Sequence, residues 1–530
     1  MTAQESAGSV APAGSLPTST TPSPSPSPSP SPSPSPSAAP YALRPVGLVA
    51  GLLATVLLAL AGRYGYHRDE LYFLAAGRRL AWGYDDQPPL VPALARLVDL
   101  LAPDSLLALR VPSALLAAAS VLFTAAIARE LGADRRGQVI AAIASAAAPI
   151  VVFTGHLLST TTVELTLAAL LGWLLARWIR TGSDRLLLLA GAVTGLALLA
   201  KATFAMLVGA LVLAVVVAGP QRLLRRPALW AGAAIALAAW APYLWWQARN
   251  GWPQLDMAEA IRADEPGGGR ILLLPMQVAL LGIPLAAVAV AGLWRLLRNP
   301  AARPFRCLGL AFVLLLATYL VLGGQFYYPA GGFPPLIASG AIATAGWLAR
   351  GDVRRRELGW RTAVALTVAG TAALGLPVYP TSVLPATPQP AVVPDSAETV
   401  GWPEFVATVA QVHASLPEQE RSRAVIVTSN YGEAGAIERY GPTYHLPAPY
   451  SGHNAYWRWG PPPEGATGPV IVVGRVPTDL LHDHCGSLTL AARHDNGLDL
   501  DNEEQGAPVR ICRDLATGWR EFWPRLRHLS

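Results

Sequence analysis

The sequence predicts a mainly α-helical polytopic membrane bundle of about 11 spans, followed by a C-terminal extracytoplasmic α/β domain. Three observations predict it. Apolar runs of about twenty residues, the helical length that crosses a hydrocarbon layer, recur over the first three quarters of the chain. Hydrophobic residues make up 52% and charged residues only 14%, with a mean hydropathy of +0.37. From about Pro380 the pattern changes to helical segments alternating with short β-branched runs.

Residues 1–42 read as a disordered, Ser-Pro-rich cytoplasmic tail. The repeat from Pro22 to Ser37 has no apolar surface to bury, and its prolines favour extended polyproline II. No basic leader or cleavage site accompanies the first apolar run, which reads as a retained anchor. Residues 43–379 form the membrane domain. Its spans fall at roughly 43–61, 108–128, 138–153, 160–178, 186–199, 202–218, 228–247, 272–294, 307–324, 333–349 and 362–379. Alternate connections carry arginines, among them Arg135 and Arg136, Arg177 and Arg180, Arg225 and Arg226, Arg295 and Arg298, and Arg354 to Arg356. The positive-inside bias makes these loops cytoplasmic, and it accounts for the net charge of +6 without a nucleic-acid partner. An odd span count places the N-terminus inside and residues 380–530 outside, with a plasma-membrane location. Cys485 and Cys512 then lie in an oxidising compartment, which favours a disulfide over two free thiols; Cys307 sits in an apolar span.

The tail reads as a small α/β module. Helical segments at about 402–416 and 431–440 alternate with Val425–Thr428 and Val470–Val473.

Chemistry concentrates in the first outer loop, 62–107. Asp69, Glu70, Asp85 and Asp86 lie within eighteen residues of a chain poor in charge, and charge beside a membrane is costly unless it faces water, a partner or a substrate. His67-Arg-Asp-Glu70 opens a helical stretch to about Trp82, expected to lie in the interface as an amphipathic helix. Two readings stand for its acids: complements of the helix dipole, or carboxylates facing a cavity for general-base work. The second cluster, Tyr84-Asp-Asp-Gln-Pro-Pro89, favours the latter, because the prolines start a further short helix at a fixed angle.

Lys201 is the single lysine among 40 basic residues and separates two apolar segments. A charge at membrane depth costs about 2.5–3.5 kcal/mol, so it reads either as a snorkelling end anchor or as a point charge for a phosphate. Arg110, at the start of the second span, offers the same alternatives. Gln325-Phe-Tyr-Tyr-Pro329 puts Tyr327 and Tyr328 at an interface, as belt residues or ligand contacts. His156 and Glu164 flank the polar Ser159-Thr-Thr-Thr162. Asp85, Gln87, His67 and His156 complete the substrate-facing candidates. In the tail, Asn430-Tyr-Gly-Glu-Ala-Gly435 has the wrong spacing for a dinucleotide fingerprint. Ser451-Gly-His-Asn-Ala-Tyr-Trp-Arg-Trp459 could stack on sugars or pack the domain. His482-Asp-His-Cys485 only superficially resembles a metal site, and no metal or other cofactor is expected.

The loop RDELYFLAAGRRLAWGYDDQPPL, LLAKATF around Lys201, QFYYPAGGFPPL, VTSNYGEAGAIERYG and YSGHNAYWRWGPPP together resemble glycosyltransferase family 39. They resemble most its bacterial branch of lipid A aminoarabinose transferase-like proteins related to protein O-mannosyltransferases. The resemblance runs from about residue 45 to the end. It implies a GT-C fold and inverting transfer of a sugar from a polyprenyl-phosphate donor to a hydroxyl on a protein, lipid or glycan at the extracytoplasmic face. It implies Asp69 as base, Asp86 as the acid before Pro-Pro and Lys201 near the lipid phosphate. Glu70 joins the catalytic candidates, and Arg110 the phosphate-binding ones. Gln87 stands where the aminoarabinose transferases carry lysine, and Thr160–Thr162 replace a Met-Asn or Met-Asp. The rival reading is a transporter or flippase of a lipid-linked or anionic substrate. It predicts ionisable residues along a path through the spans and an inverted repeat; no repeat is visible.

Overall fold

The computed structural model describes residues 39–264 and 268–529, together with Gly8 and Gly14; the Ser-Pro repeat lies outside the described residues. Residues 39–530 form one compact unit.

Every predicted membrane interval is helical. The helices are α1 (Leu43–Leu60), α2 (Arg68–Arg78), α3 (Leu90–Leu101), α4 (Leu106–Glu130), α5 (Arg135–Ala147), α6 (Pro149–His156), α7 (Thr160–Thr181), α8 (Arg185–Ala200), α9 (Phe204–Ala218), α10 (Pro227–Arg249), α11 (Pro253–Asp264), α12 (Gly268–Leu281), α13 (Ala286–Arg298), α14 (Arg306–Leu322), α15 (Phe333–Leu348) and α16 (Val353–Gly375). Among the described residues, 5 helices are long and apolar enough to cross a membrane, and up to 7 if each bent pair counts as one span. The chain is a multi-pass membrane protein. Two predicted spans are broken. The third bends by 55° between α5 and α6 and the eighth by 107° between α12 and α13. Pro149 lacks the N–H that would continue α5, and Gly282 adopts a positive φ of 83° that ends α12. Helices α8 and α9, at 16 and 15 residues, reach only about 24 Å and meet at the Lys201 break.

Side-chain and glycine hydrogen-bonding signals set the ends. Ser105, Asp134 and Ser159 accept N–H groups of the first turns of α4, α5 and α7, and Gly182 closes α7 in the left-handed region. Packing uses small residues, as expected where lipid removes the hydrophobic drive between helices. A Cβ on Gly191 of α8 would lie 2.1 Å from the Gly232 carbonyl of α10, and one on Gly340 of α15 would lie 1.7 Å from the Val288 carbonyl of α13. Helix α7 is the central one, with 83% of its apolar window buried, against 17% for α10.

The tail holds helices α17 (Gln389–Val392), α18 (Trp402–Ser415), α19 (Glu418–Arg421), α20 (Tyr431–Tyr440), α21 (Ala455–Arg458), α22 (Thr478–His484) and α23 (Trp519–Phe522) and a five-stranded sheet. Its strands are β1 (Val425–Thr428), β2 (Pro449–Ser451), β3 (Val470–Val473), β4 (Cys485–Arg493) and β5 (Pro508–Leu515), in the order β2-β1-β3-β5-β4. The first three are parallel and the last two antiparallel to their neighbours. The uninterrupted Val-Ile runs of β1 and β3 are buried on both faces, as the inner strands of a covered sheet require. A disulfide joins Cys485 to Cys512, across β4 and β5.

One face of the sheet shares an apolar core with α2, α18, α20 and the ends of α7 and α9, through residues such as Leu71, Phe73, Val163, Phe204, Val406, Ile426 and Ile471. The first loop is therefore enclosed between bundle and tail. Helix α2 ends at Arg78, earlier than the expected Trp82, and is not a one-sided interfacial helix. Residues Glu70 to Gly77 are all buried, with α3 and α20 packed against it.

Candidate active site

The first-loop residues fall into separate groups. Helix α2 opens with a capping box: the His67 imidazole accepts the Asp69 N–H at 3.2 Å, and the Glu70 carboxylate accepts the His67 N–H at 2.9 Å. Glu70 also accepts the Leu158 N–H at 2.9 Å and a forked pair of bonds from Arg110 at 2.9 and 2.8 Å. Arg110 donates further to the carbonyls of Ala61 and Gly65, both at 2.8 Å. Burial alone would raise the Glu70 carboxyl, but Arg110 and the two backbone N–H groups hold it below its ordinary value. Glu70 and Arg110 are thus committed to each other, with side chains 0% and 1% exposed. In this structure the two charges face each other, and Glu70 also caps α2, the structural alternative to a catalytic or phosphate-binding role. His156, buried at the end of α6, lies within reach of the same two charges.

Asp69, one position earlier, faces the tail. Its Oδ1 accepts the Tyr431 hydroxyl at 2.8 Å. The Tyr431 ring packs at 4.8 Å from that of Tyr72, whose hydroxyl donates to Asp86 Oδ1 at 2.6 Å. Two carboxylates from separate turns of the loop are thereby joined through two phenols packed at a tilt of 32°. Part of the Asp86 residue reaches solvent, yet protein packs round its carboxyl. Burial pushes it up to about 7, with Asp85 and Asp69 adding repulsion and the Tyr72 hydrogen bond opposing. Burial likewise pushes the Tyr431 phenol well above its usual range, and the Asp69 charge adds to this, so it remains a donor.

Asp85 points elsewhere. It is buried and binds Arg458 of the tail through both oxygens, at 2.9 and 2.8 Å, while Arg458 also donates to Asn250 at 3.0 Å. Asp85 therefore ties the first loop to the tail through Arg458. Gln87 is buried, and its side-chain amide has no partner among the described residues.

The break between α8 and α9 frees Lys201 from both helices. Its ammonium lies 2.9 Å from Glu164 and 3.1 Å from Thr161, and 4.9 Å from the ring centroids of both Tyr327 and Tyr328. The expected Lys201, Tyr327 and Tyr328 thus meet, and the polar start of α7 supplies their partners. Burial holds the Tyr327 phenol well above its usual range, and Tyr328, Asp69, Asp395 and Glu164 add to it. Leu71 and Tyr72 of the first loop, Ala200 and Phe204 beside Lys201, and Tyr328 pack in one apolar core.

Sequence reasoning missed Tyr72, Tyr431 and an acidic group in the tail. Among the described residues, Glu398, Glu503 and Glu504 bring ligand-type oxygens within 4.8 Å of one another. Arg68 forms an ion pair with Glu503, and Asn430 donates to Glu503 at 3.3 Å, so this group anchors α2 and α20. Burial, together with Glu398, Glu433 and Glu503, raises the Glu504 carboxyl well above its ordinary value. In His482-Asp-His-Cys485, Cys485 is oxidised, and His484 is hydrogen-bonded to Leu480 and packed on Phe522.

Residues 86–246 match the family described as dolichyl-phosphate-mannose-protein mannosyltransferase. The fold is similar to the crystal structure of ArnT from Cupriavidus metallidurans bound to undecaprenyl phosphate, with a TM-score of 0.57 and 16% identity over 88% of this chain and 97% of that chain. The apo state of the same protein gives 0.55 and 16% over 88% and 96%. The archaeal oligosaccharyltransferase AglB from Archaeoglobus fulgidus gives 0.46 and 13% over 77% and 64%. No curated protein matches the chain. The resemblance to glycosyltransferase family 39 is borne out over residues 86–246 by the family match, and this multi-pass membrane protein shares the fold of ArnT.

Proposed function

We propose that the protein moves a sugar from a polyprenyl-phosphate donor to an acceptor hydroxyl at the extracytoplasmic face, with inversion. The observation that carries this reading is the pairing of Asp69 and Asp86 through Tyr431 and Tyr72, in one apolar core with the residues that flank Lys201 and with Tyr328. The family matched over residues 86–246 and the ArnT fold, determined with undecaprenyl phosphate, support a lipid-phosphate donor.

Lys201 exchanges part of its contact with Glu164 for the donor phosphate, and Tyr327 and Tyr328 line that subsite. Asp69 removes the proton of the acceptor hydroxyl as its oxygen bonds to the anomeric carbon. The bond from that carbon to the phosphate oxygen breaks with its electron pair, and the polyprenyl phosphate leaves as an anion beside Lys201. A phosphate leaving group needs little protonation, so one base and one cation suffice. Asp86 orients the acceptor, and its carboxyl, raised to about 7, can hold a proton near neutral pH. The eleven predicted spans, two of them bent helix pairs, lie in the membrane, with the arginine-bearing loops cytoplasmic and residues 380–530 outside. The location is the plasma membrane.

The test uses purified protein with a radiolabelled polyprenyl-phosphate hexose and a membrane extract as acceptor source. Loss of label from lipid with its appearance in extract, and a donor KM raised about tenfold or more by Lys201→Ala, is expected. Label crossing a vesicle membrane while still attached to its lipid would favour transport instead.

A further inference from the structure

We propose that the tail completes the active site, and that Tyr431 is a positioning residue for the Asp69 base; this rests on the glycosyl-transfer reading above. Asp69 and Tyr431 are 362 positions apart, yet the phenol donates to Oδ1 at 2.8 Å. That bond fixes one carboxylate oxygen and hence the direction of Oδ2, the oxygen left to take the acceptor's proton. A base must sit within hydrogen-bond reach of that proton and at a defined angle to it.

The phenol is itself held from several sides. Arg68 donates to its oxygen at 3.2 Å, and its ring lies between Tyr72 at 4.8 Å and His453 at 4.7 Å. Its helix cannot drift, because α20 sits against α2 at glycine contacts. A Cβ on Gly432 would lie 2.8 Å from Arg68 Cβ, and one on Gly435 would lie 2.8 Å from Leu71 Cβ and 3.1 Å from the Leu71 backbone carbon. Glycines three apart on α20 thus meet residues three apart on α2, which explains the Tyr-Gly-Glu-Ala-Gly spacing. Ion pairs Arg79–Glu438 and Arg439–Asp104, both at 2.8 Å, pin the far end of α20 to the first loop. Charged groups around Asp69 and Tyr431 are Arg68 on α2, Glu503 behind it, and Asp86 across Tyr72.

The experiment compares wild type, Tyr431→Phe and Tyr440→Phe in detergent, measuring kcat, donor KM and melting temperature. Tyr440 lies on the same helix but packs on Tyr66, away from Asp69. A charge-assisted bond that orients the base is worth roughly 10–100-fold in kcat. Tyr431→Phe is expected to lose that much, with donor KM within about twofold and melting unchanged, while Tyr440→Phe keeps wild-type kcat. Wild-type kcat in Tyr431→Phe would overturn the proposal. So would a loss accompanied by lower melting and raised KM, which marks a merely structural tyrosine. If wild type moves no sugar, the glycosyl-transfer reading fails first and the proposal falls with it.

Discussion

Replacing Arg110 by alanine separates two accounts of that residue. If it clamps a lipid phosphate, the variant folds normally and binds donor poorly. The structure predicts the reverse. Arg110→Ala removes both bonds to Glu70 and strands a carboxylate that is 0% exposed, which costs about 3–5 kcal/mol for a buried pair broken on one side. It also frees the Ala61 and Gly65 carbonyls, each a further ~1–3 kcal/mol where water cannot reach. These effects overlap, so a loss of at least about 3 kcal/mol is expected. The assay is thermal melting of the detergent-purified protein by fluorescence-detected size exclusion, beside donor KM on whatever fraction stays folded. The double change Arg110→Met with Glu70→Leu should recover part of the loss, because it removes both charges together while still leaving the Ala61 and Gly65 carbonyls and the His67 and Leu158 N–H groups without those partners. A variant that melts like wild type with a tenfold higher donor KM would refute the assignment and return Arg110 to the phosphate site.

Further outcomes follow from other contacts. Gly435→Leu should separate α20 from α2, raising protease sensitivity of the tail and abolishing transfer, whereas Gly465→Leu, in open space, should do neither. Asp86 and Glu433 both carry carboxyls raised to about 7, chiefly by burial, so the folded state holds more protons than the unfolded one between their ordinary values near 4 and about 7. Their contribution to stability is therefore fully present below pH 4 and is lost as pH rises through 7. Melting measured at pH 5.5 should exceed that at pH 8, a difference that Glu433→Gln shrinks. Cys512→Ser should lower tail stability by about 2–4 kcal/mol through the opened loop between β4 and β5, read as earlier proteolysis of residues 485–515.

The helices of the membrane domain are legible because apolar runs and caps are local signals. Their interruptions are less so: Ala148-Pro149 and Gly282 turn single predicted spans into pairs bent by 55° and 107°, on the strength of one or two residues. Asp69, Asp86 and Lys201 stand out because charge is rare in this chain. Their neighbours do not: the pairing of Glu70 with Arg110 joins residues 40 positions apart, and chain spacing alone gives no reason to take both from the site. The interfacial reading of α2 missed because α3 covers part of it and the tail's α20, docked through Gly432 and Gly435, covers another part. Tyrosine is also an ordinary residue at a membrane surface, so nothing local marked Tyr431 or Tyr72. Glu398 stands 105 positions from Glu503, which hid the acidic anchor.

The most direct test of the account is a single-turnover measurement with the labelled polyprenyl-phosphate hexose, comparing wild type with Asp69→Asn at matched donor occupancy. Transfer that falls by about three orders of magnitude or more in Asp69→Asn, with donor binding and melting unchanged, is the predicted result. An Asp69→Asn protein that transfers sugar at the wild-type rate would contradict it.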